Sequence, residues 1–305
     1  MELNVVAEGL GFPEGPIALK DGSVLVVDIH GGNLLRVAGD GQVTTVAHLS
    51  GGPNGAAIGP DGRVYICNNG GFAWADLGAN GGLMPHGMAD DYAGGSIQRV
   101  DLATGKVETL YTRCGDRRLR GPNDIVFDDH GGFWFTDFGK TSDDRTDIGY
   151  IYYARADGSR IDMALTGLNG PNGIGLSPDQ KTLYWAETPT AHLWAAAIAA
   201  PGKLAPRPAP WLPGRLLLSM PTYCLFDSLA VEQDGRVVVG TLIDGGLTVV
   251  EADGRFEHVA FPEIGVTNAC FGGPDMRDLW ATASNTGRLY KLRWPRPGLP
   301  TAYNA

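Results

Sequence analysis

Gly121-Pro122-Asn123-Asp124-Ile125-Val126-Phe127-Asp128-Asp129-His130-Gly131-Gly132-Phe133-Trp134-Phe135-Thr136-Asp137 sets a polar residue behind Gly-Pro, then a short apolar run, an Asp/Gly turn and a second apolar run ending in Asp. Two apolar runs split by a Gly-rich turn specify a β-hairpin. The same phrase is written five more times. Glu14 leads through Asp21-Gly22 to Val24-Leu25-Val26-Val27-Asp28, and Asn54 through Asp61-Gly62 to Val64-Tyr65-Ile66-Cys67-Asn68. Asn172 leads through Pro178-Asp179 to Leu183-Tyr184-Trp185-Ala186-Glu187, and Asp227 through Asp234-Gly235 to Val237-Val238-Val239. Asn268 leads through Pro274-Asp275 to Leu279-Trp280-Ala281-Thr282.

The six polar heads, Glu14, Asn54, Asn123, Asn172, Asp227 and Asn268, stand 40, 69, 49, 55 and 41 residues apart. A repeat of this length made of strands and tight turns specifies an all-β, six-bladed β-propeller with four antiparallel strands per blade. Residues 2–8 form a lone strand ahead of the first head, while the last copy lacks an outer strand. The N-terminal strand is therefore expected to close the ring and cover the edge left open there. The whole of 1–305 reads as one propeller domain, with 294–305 as an irregular, proline-rich tail.

Gly 45 and Pro 20 suit a turn-dense fold, since apolar residues still make up 43% of the chain. A net charge of −10 argues against nucleic acid and anionic membranes as partners. No apolar run approaches the length of a membrane helix. Met1-Glu2-Leu3-Asn4 has no basic or apolar leader character, so a cytoplasmic location is expected. Cys67, Cys114, Cys224 and Cys270 lack the CxxC spacing of zinc or redox sites.

A propeller gathers its innermost strands on one axis, so six heads far apart in the chain meet in a small ring. Asn before Gly is a common turn dipeptide, and each head alone reads as turn chemistry. Together, two carboxylates and four amides form a set of hard oxygen donors. Crowded carboxylates raise each other's pKa unless a cation lies between them. The donors suit Ca²⁺ or Mg²⁺ better than a soft-ligand zinc site. The long segment between Asn69 and Gly94 shows no strand periodicity and carries Phe72, Trp74 and Met84; it reads as an ordered lid. Arg113 to Gly121, with Arg120, and Pro213 to Cys224, with Tyr223, read as further pocket walls. His30, at the end of a strand on the head face, is a candidate lining residue. No G-x-S-x-G elbow, HExxH, P-loop or GxGxxG leading into a helix is present.

These residues resemble the gluconolactonase / senescence marker protein (regucalcin) / luciferin-regenerating enzyme family. The most specific matches are Pro13-Glu14-Gly15-Pro16, Pro122-Asn123-Asp124, Phe135-Thr136-Asp137, Pro171-Asn172-Gly173 with Ser177-Pro178-Asp179, and Asp227. The resemblance implies one divalent cation on the axis, with Ca²⁺ placed ahead of Mg, Mn, Zn or Fe. It implies that Glu14, Asn172 and Asp227 ligate it, with Asn123 a fourth ligand or a substrate contact and Asp227 the general base. The chain departs from the pattern at Asp227-Ser228, where glycine commonly follows, at Gly121, where some members carry arginine, and in its long second-blade loop.

The expected activity is metal-dependent hydrolysis of a small lactone by a polarised carbonyl and Asp-assisted water attack. Asn123, Asn54, Arg120, Tyr223, Phe72, Trp74 and His30 are the candidate substrate contacts. Phosphotriester or aryl-ester hydrolysis on the same site is an alternative, as is a non-catalytic calcium-binding propeller.

Overall fold

The structure, a computed structural model, describes residues 1–78 and 81–304. The described residues contain no helix; they form six small antiparallel sheets arranged as the six blades of a propeller. Blade 1 runs from its inner strand Pro13–Ala18 through Val24–Asp28 and Asn33–Val37 to Val43–His48. The other inner strands are Pro53–Ile58, Pro122–Phe127, Pro171–Leu176, Phe226–Val231 and Val266–Gly272.

The second strand of each blade is sandwiched between neighbouring blades, so it reads as a continuous apolar run. Val24–Asp28, Val64–Asn68 and Gly132–Asp137 are buried at every position. The outermost strands, such as Phe256–Ala260, keep most of their length in water. Aromatic rings fill the wedge between blades 2 and 3, where Phe127 meets Tyr65 at 5.0 Å and Phe133 at 5.1 Å.

The ring closes as expected. Leu3–Ala7 pairs antiparallel with Arg288–Arg293, Leu3 opposite Leu292 and Val5 opposite Tyr290, and so supplies the fourth strand of blade 6.

Two segments differ from expectation. The region between Asn69 and Gly94 contains strands after all: Phe72–Asp76 pairs with Leu83–Met88 in a hairpin. Its hydrophobic alternation is interrupted by Pro85 and several glycines, which hid the strand period. The tail after Trp294 is irregular, yet it is packed. Leu299 N–H donates to the Val231 carbonyl at 2.8 Å, Tyr303 meets the Phe127 ring at 5.6 Å, and the Asn304 side chain donates to the Ala18 carbonyl at 2.8 Å. Those partners sit on blades 5, 3 and 1, so the tail crosses the axis at the end opposite the polar heads. Between tail and heads lies a chamber of about 410 Å³ walled by inner-strand side chains such as Ile17, Ile125, Leu176 and Phe271.

Candidate metal centre and active site on the propeller axis

Each inner strand breaks register beside its polar head. Pro122 pairs with Asp137 and Ile125 with Phe135, leaving Asn123 and Asp124 opposite one residue; Pro53/Ala56, Pro171/Ile174 and Phe226/Leu229 repeat the break. A bulge of this kind bends the strand and re-aims the extra side chain. The bulges also bring adjacent inner strands very close. A Cβ on Gly15 would lie 2.6 Å from the Asn54 carbonyl oxygen, and one on Gly55 would lie 2.5 Å from that of Asn123. The glycine behind the head is therefore a requirement of strand approach around the axis.

The heads converge. Glu14, Asn54, Asn123, Asn172 and Asn268 are all buried, and Asp227 is partly buried. Asn268 Nδ2 donates to Glu14 Oε2 at 2.7 Å, as does Gly15 N–H at the same distance. Asn172 Nδ2 donates to Thr188 Oγ1 at 3.0 Å, and Ser228 Oγ donates to Asn172 Oδ1 at 3.3 Å. A further carboxylate joins them. Asp124 is buried and accepts the Ile174 N–H of the next blade at 3.3 Å.

Three carboxyl groups in so little water disfavour one another's charge. Burial raises Glu14, which bonds from Asn268 and Gly15 only partly offset. Burial and then the charges of Glu14 and Asp124 push Asp227 well above the ordinary carboxylate range. Asp124 is pushed up to about 8, by burial first and Glu14 second.

Among the described residues, two buried oxygens in this ring, Glu14 Oε1 and Asn123 Oδ1, have no hydrogen-bond partner. Buried acceptors are almost always satisfied, so each such exception calls for an explanation. Hard oxygen acceptors left open beside mutually repelling carboxylates fit a hard divalent cation. Among the described residues no group of three or more His, Cys, Asp or Glu side chains is placed to hold a metal. A cation at the ring would therefore be shared between carboxylate and amide oxygens.

Above the ring lies the second-blade hairpin. Trp74 packs against Phe12 and His30 of blade 1, each at 5.1 Å between ring centres, and Phe72 meets Trp74 at 6.0 Å. On the other side, Lys140 of blade 3 places Nζ 4.0 Å over the Phe72 ring and donates to the Gly71 carbonyl at 2.8 Å and Asn69 Oδ1 at 3.2 Å. Leu83 pairs with Asn285 of blade 6. The hairpin thus starts from blade 2 and touches blades 1, 3 and 6.

The structure gathers Glu14, Asn54, Asn123, Asn172 and Asp227 at the inner-strand ends, and it sets His30, Phe72 and Trp74 in one aromatic cluster. It does not bring Tyr223 or Arg120 into the ring. Tyr223 is 76% exposed on its connection, and the Arg120 side chain is held by Asp147 at 2.8 Å. Both lie in irregular connections, where sequence fixes the face of the molecule and not the direction of a side chain. Sequence reasoning missed Asp124, Lys140 and Asn285. Asp124 was signalled by its place in Pro122-Asn123-Asp124, where the other heads are followed by Gly, Ser or Ala. Lys140 and Asn285 carried no comparable signal.

A sequence profile described as the SMP-30/Gluconolactonase/LRE-like region matches residues 12–285, and the chain belongs to that family. The chain is 25% identical over 295 residues to a gluconolactonase of Zymomonas mobilis, covering 88% of this chain and 76% of that one. It is 31% identical over 199 residues to the lactonase drp35 of Staphylococcus aureus, covering 64% of this chain and about half (52%) of that protein. In three dimensions it resembles a gluconolactonase of Xanthomonas campestris with a TM-score of 0.75 at 25% identity, over 96% of this chain and 89% of that one. A regucalcin of Agrobacterium tumefaciens, described as a calcium-binding protein, shares the fold with a TM-score of 0.73 at 19% identity, over 97% and 94% of the two chains.

Proposed function

We propose that this protein is a metal-dependent lactonase acting at the axial ring. The observation that carries the reading is the pair of open buried oxygens, Glu14 Oε1 and Asn123 Oδ1, beside Asp227 and Asp124. Glu14, Asn123, Asn172 and Asp227 would hold the cation. Once bound, it would polarise the lactone carbonyl and draw the raised carboxyl pKa values back down.

The residues of the chain do the rest. Asp227, partly open where the other heads are buried, accepts the proton of the water that attacks the carbonyl carbon. The ring C–O bond then breaks, and the alkoxide leaving group takes up a proton to give the hydroxy acid. Asn172 is fixed by Thr188 and Ser228 and so presents its amide in one orientation. Phe72 and Trp74 exclude water and offer apolar faces, which favours apolar or aromatic lactones over heavily hydroxylated ones.

The names of the relatives, gluconolactonase and lactonase, support this class of reaction. The test is a proton-release assay of the purified protein on sugar and aromatic lactones, with and without chelator. Turnover that is lost with chelator and restored by a divalent cation supports the reading. Metal-replete protein that opens no lactone of the panel overturns it.

A further inference from the structure

Outside the axial site, two short hairpins at the head end enclose an open groove of about 720 Å³. One hairpin pairs Arg113–Cys114 with Arg117–Arg118 on the connection from blade 2 to blade 3. The other pairs Thr141–Ser142 with Arg145–Thr146 inside blade 3. Arg117, Arg118, Arg120 and Arg145 line the groove against two acids, Asp116 and Asp147. Its lining thus carries four positive charges and two negative ones, on a chain whose net charge is −10.

The positive charge is not consumed locally. Asp147 is shared between Arg120 at 2.8 Å and Arg145 at 3.5 Å. Among the described residues, Arg117 and Arg118 take part in no ion pair. Arg117 is nonetheless positioned, since its guanidinium lies 4.8 Å over the Tyr150 ring. Stacking on an aromatic face restrains the fork without using its N–H donors. Arg120 is pinned twice, by its side chain on Asp147 and by its backbone N–H on Asp137 at 2.8 Å. Guanidinium groups that line one groove without a carboxylate partner leave a positive field there, which a bound anion neutralises.

We propose that this groove binds a phosphate group, either inorganic phosphate or the phosphoryl group of a small metabolite. Arg117 and Arg118 supply donors with no carboxylate partner from one hairpin, and Arg145, paired with Asp147 at 3.5 Å, adds a further guanidinium from the other. A tetrahedral oxyanion with several free oxygens matches that arrangement better than a planar carboxylate. The site is separate from the axial ring and does not depend on the activity assigned there.

The test is calorimetric titration of the intact protein with inorganic phosphate at fixed ionic strength, chloride replacing phosphate in the control. The expected result is saturable binding that the double variant Arg117→Ala, Arg118→Ala weakens by about tenfold or more. Arg36→Ala, on the outer part of blade 1, should leave binding unchanged. Both groove arginines are exposed, and the unliganded thermal transition of the double variant shows whether its fold is intact. Glucose 6-phosphate that binds more tightly than phosphate, while glucose does not bind, assigns the site to a phosphorylated metabolite; equal affinities assign it to free phosphate. No saturable binding of either anion overturns the proposal, as does binding that the double variant leaves unchanged. The readout is binding and not lactone turnover, so it separates this inference from the proposed activity.

Discussion

Asn285 grips Leu83 from across the head face: Leu83 N–H donates to the Asn285 carbonyl at 2.9 Å, and the Asn285 side-chain amide donates to the Leu83 carbonyl at 3.0 Å. The two residues are 202 apart in sequence and belong to blades 2 and 6. This clasp anchors a long insertion of blade 2 to blade 6 at the head end.

The clasp can be broken at a neighbouring residue. Gly82 has φ +62°, and an added Cβ would lie 1.7 Å from the Asn285 carbonyl oxygen. Gly82→Ala should therefore detach the hairpin while leaving the ring residues in place. Two hydrogen bonds of about 1 kcal/mol each are at stake. We expect KM for an apolar lactone to rise by about tenfold with kcat much less affected, and limited proteolysis to cut within 70–90. An unchanged KM and an uncut lid would show that the clasp is dispensable.

Asp227→Asn keeps the shape of the side chain and removes its charge. Loss of a general base typically costs about 10²–10⁴-fold, so kcat should fall at least a hundredfold. The same change relieves crowding with Glu14 and Asp124, so the metal-free variant should be more stable than the wild type. Chemical denaturation in the presence of chelator checks the second outcome, and full turnover with metal bound would remove Asp227 from its assigned role.

The raised carboxyls give the metal-free protein a definite pH dependence. Glu14, Asp124 and Asp227 hold protons more tightly when folded than when unfolded, and Asp124 does so up to about 8. A group of this kind contributes stability that is present below the ordinary carboxylate range and lost as pH rises through the folded value. With chelator, stability should decline between pH 4 and pH 8. A saturating divalent cation should stabilise far more at pH 8 than at pH 5, because it binds the deprotonated ring. Melting curves at both pH values, with Ca²⁺ and with chelator, test this directly.

Lys140 has the opposite sign. Burial pulls its pKa down to about 7, only partly countered by Asp137. Between that value and the ordinary lysine range, the unfolded chain holds a proton that the folded protein lacks, so stability rises with pH through this window. Lys140→Met should remove the rise. The difference in urea midpoint between wild type and variant should therefore grow from pH 7 to pH 10 in favour of the wild type, and a flat difference would mean that Lys140 keeps its charge at neutral pH.

Removing residues 299–305 opens the chamber beneath the ring. The Val231 carbonyl loses its bond from the Leu299 N–H, and Phe127 loses the Tyr303 ring. The loss should amount to about 1–3 kcal/mol of unfolding free energy. Hydrogen exchange should also accelerate at inner-strand amides of blades 1, 3 and 5. Unaltered exchange there would mean that the tail is not a seal.

The fold was legible because six copies of one hairpin phrase carry their own turn chemistry, and the Pro-Asn-Gly and Pro-Glu-Gly signatures survive where bulged strands must pass close together. Glu14 and Asp227 stood out for the same reason, as charged residues where the other copies have amides. The terminal Asp of the phrase had a local explanation that the sequence did not reveal: Asp137 accepts the backbone N–H groups of Arg120, Gly121 and Gly139 at 2.7–3.0 Å and ties two head-end loops together. The lid strands were not legible, because a two-stranded hairpin held by contacts to blades 1, 3 and 6 needs little periodicity of its own. Asn285 and Lys140 escaped for a related reason. Each acts on a segment far away in the chain, and no local pattern records that contact.

The six bulged strands around the axis also say something about how the protein comes into being. Glu14, Asn123, Asn172 and Asp227 come from four different blades, and no two of them are near neighbours along the chain. No single blade contains their meeting point, and the circle is complete only with Leu3–Ala7 paired to the last blade. On the proposed reading of the ring as a metal centre, ion capture trails the appearance of β-structure during refolding, and a cation-sensitive probe acts as a clock for the completed circle.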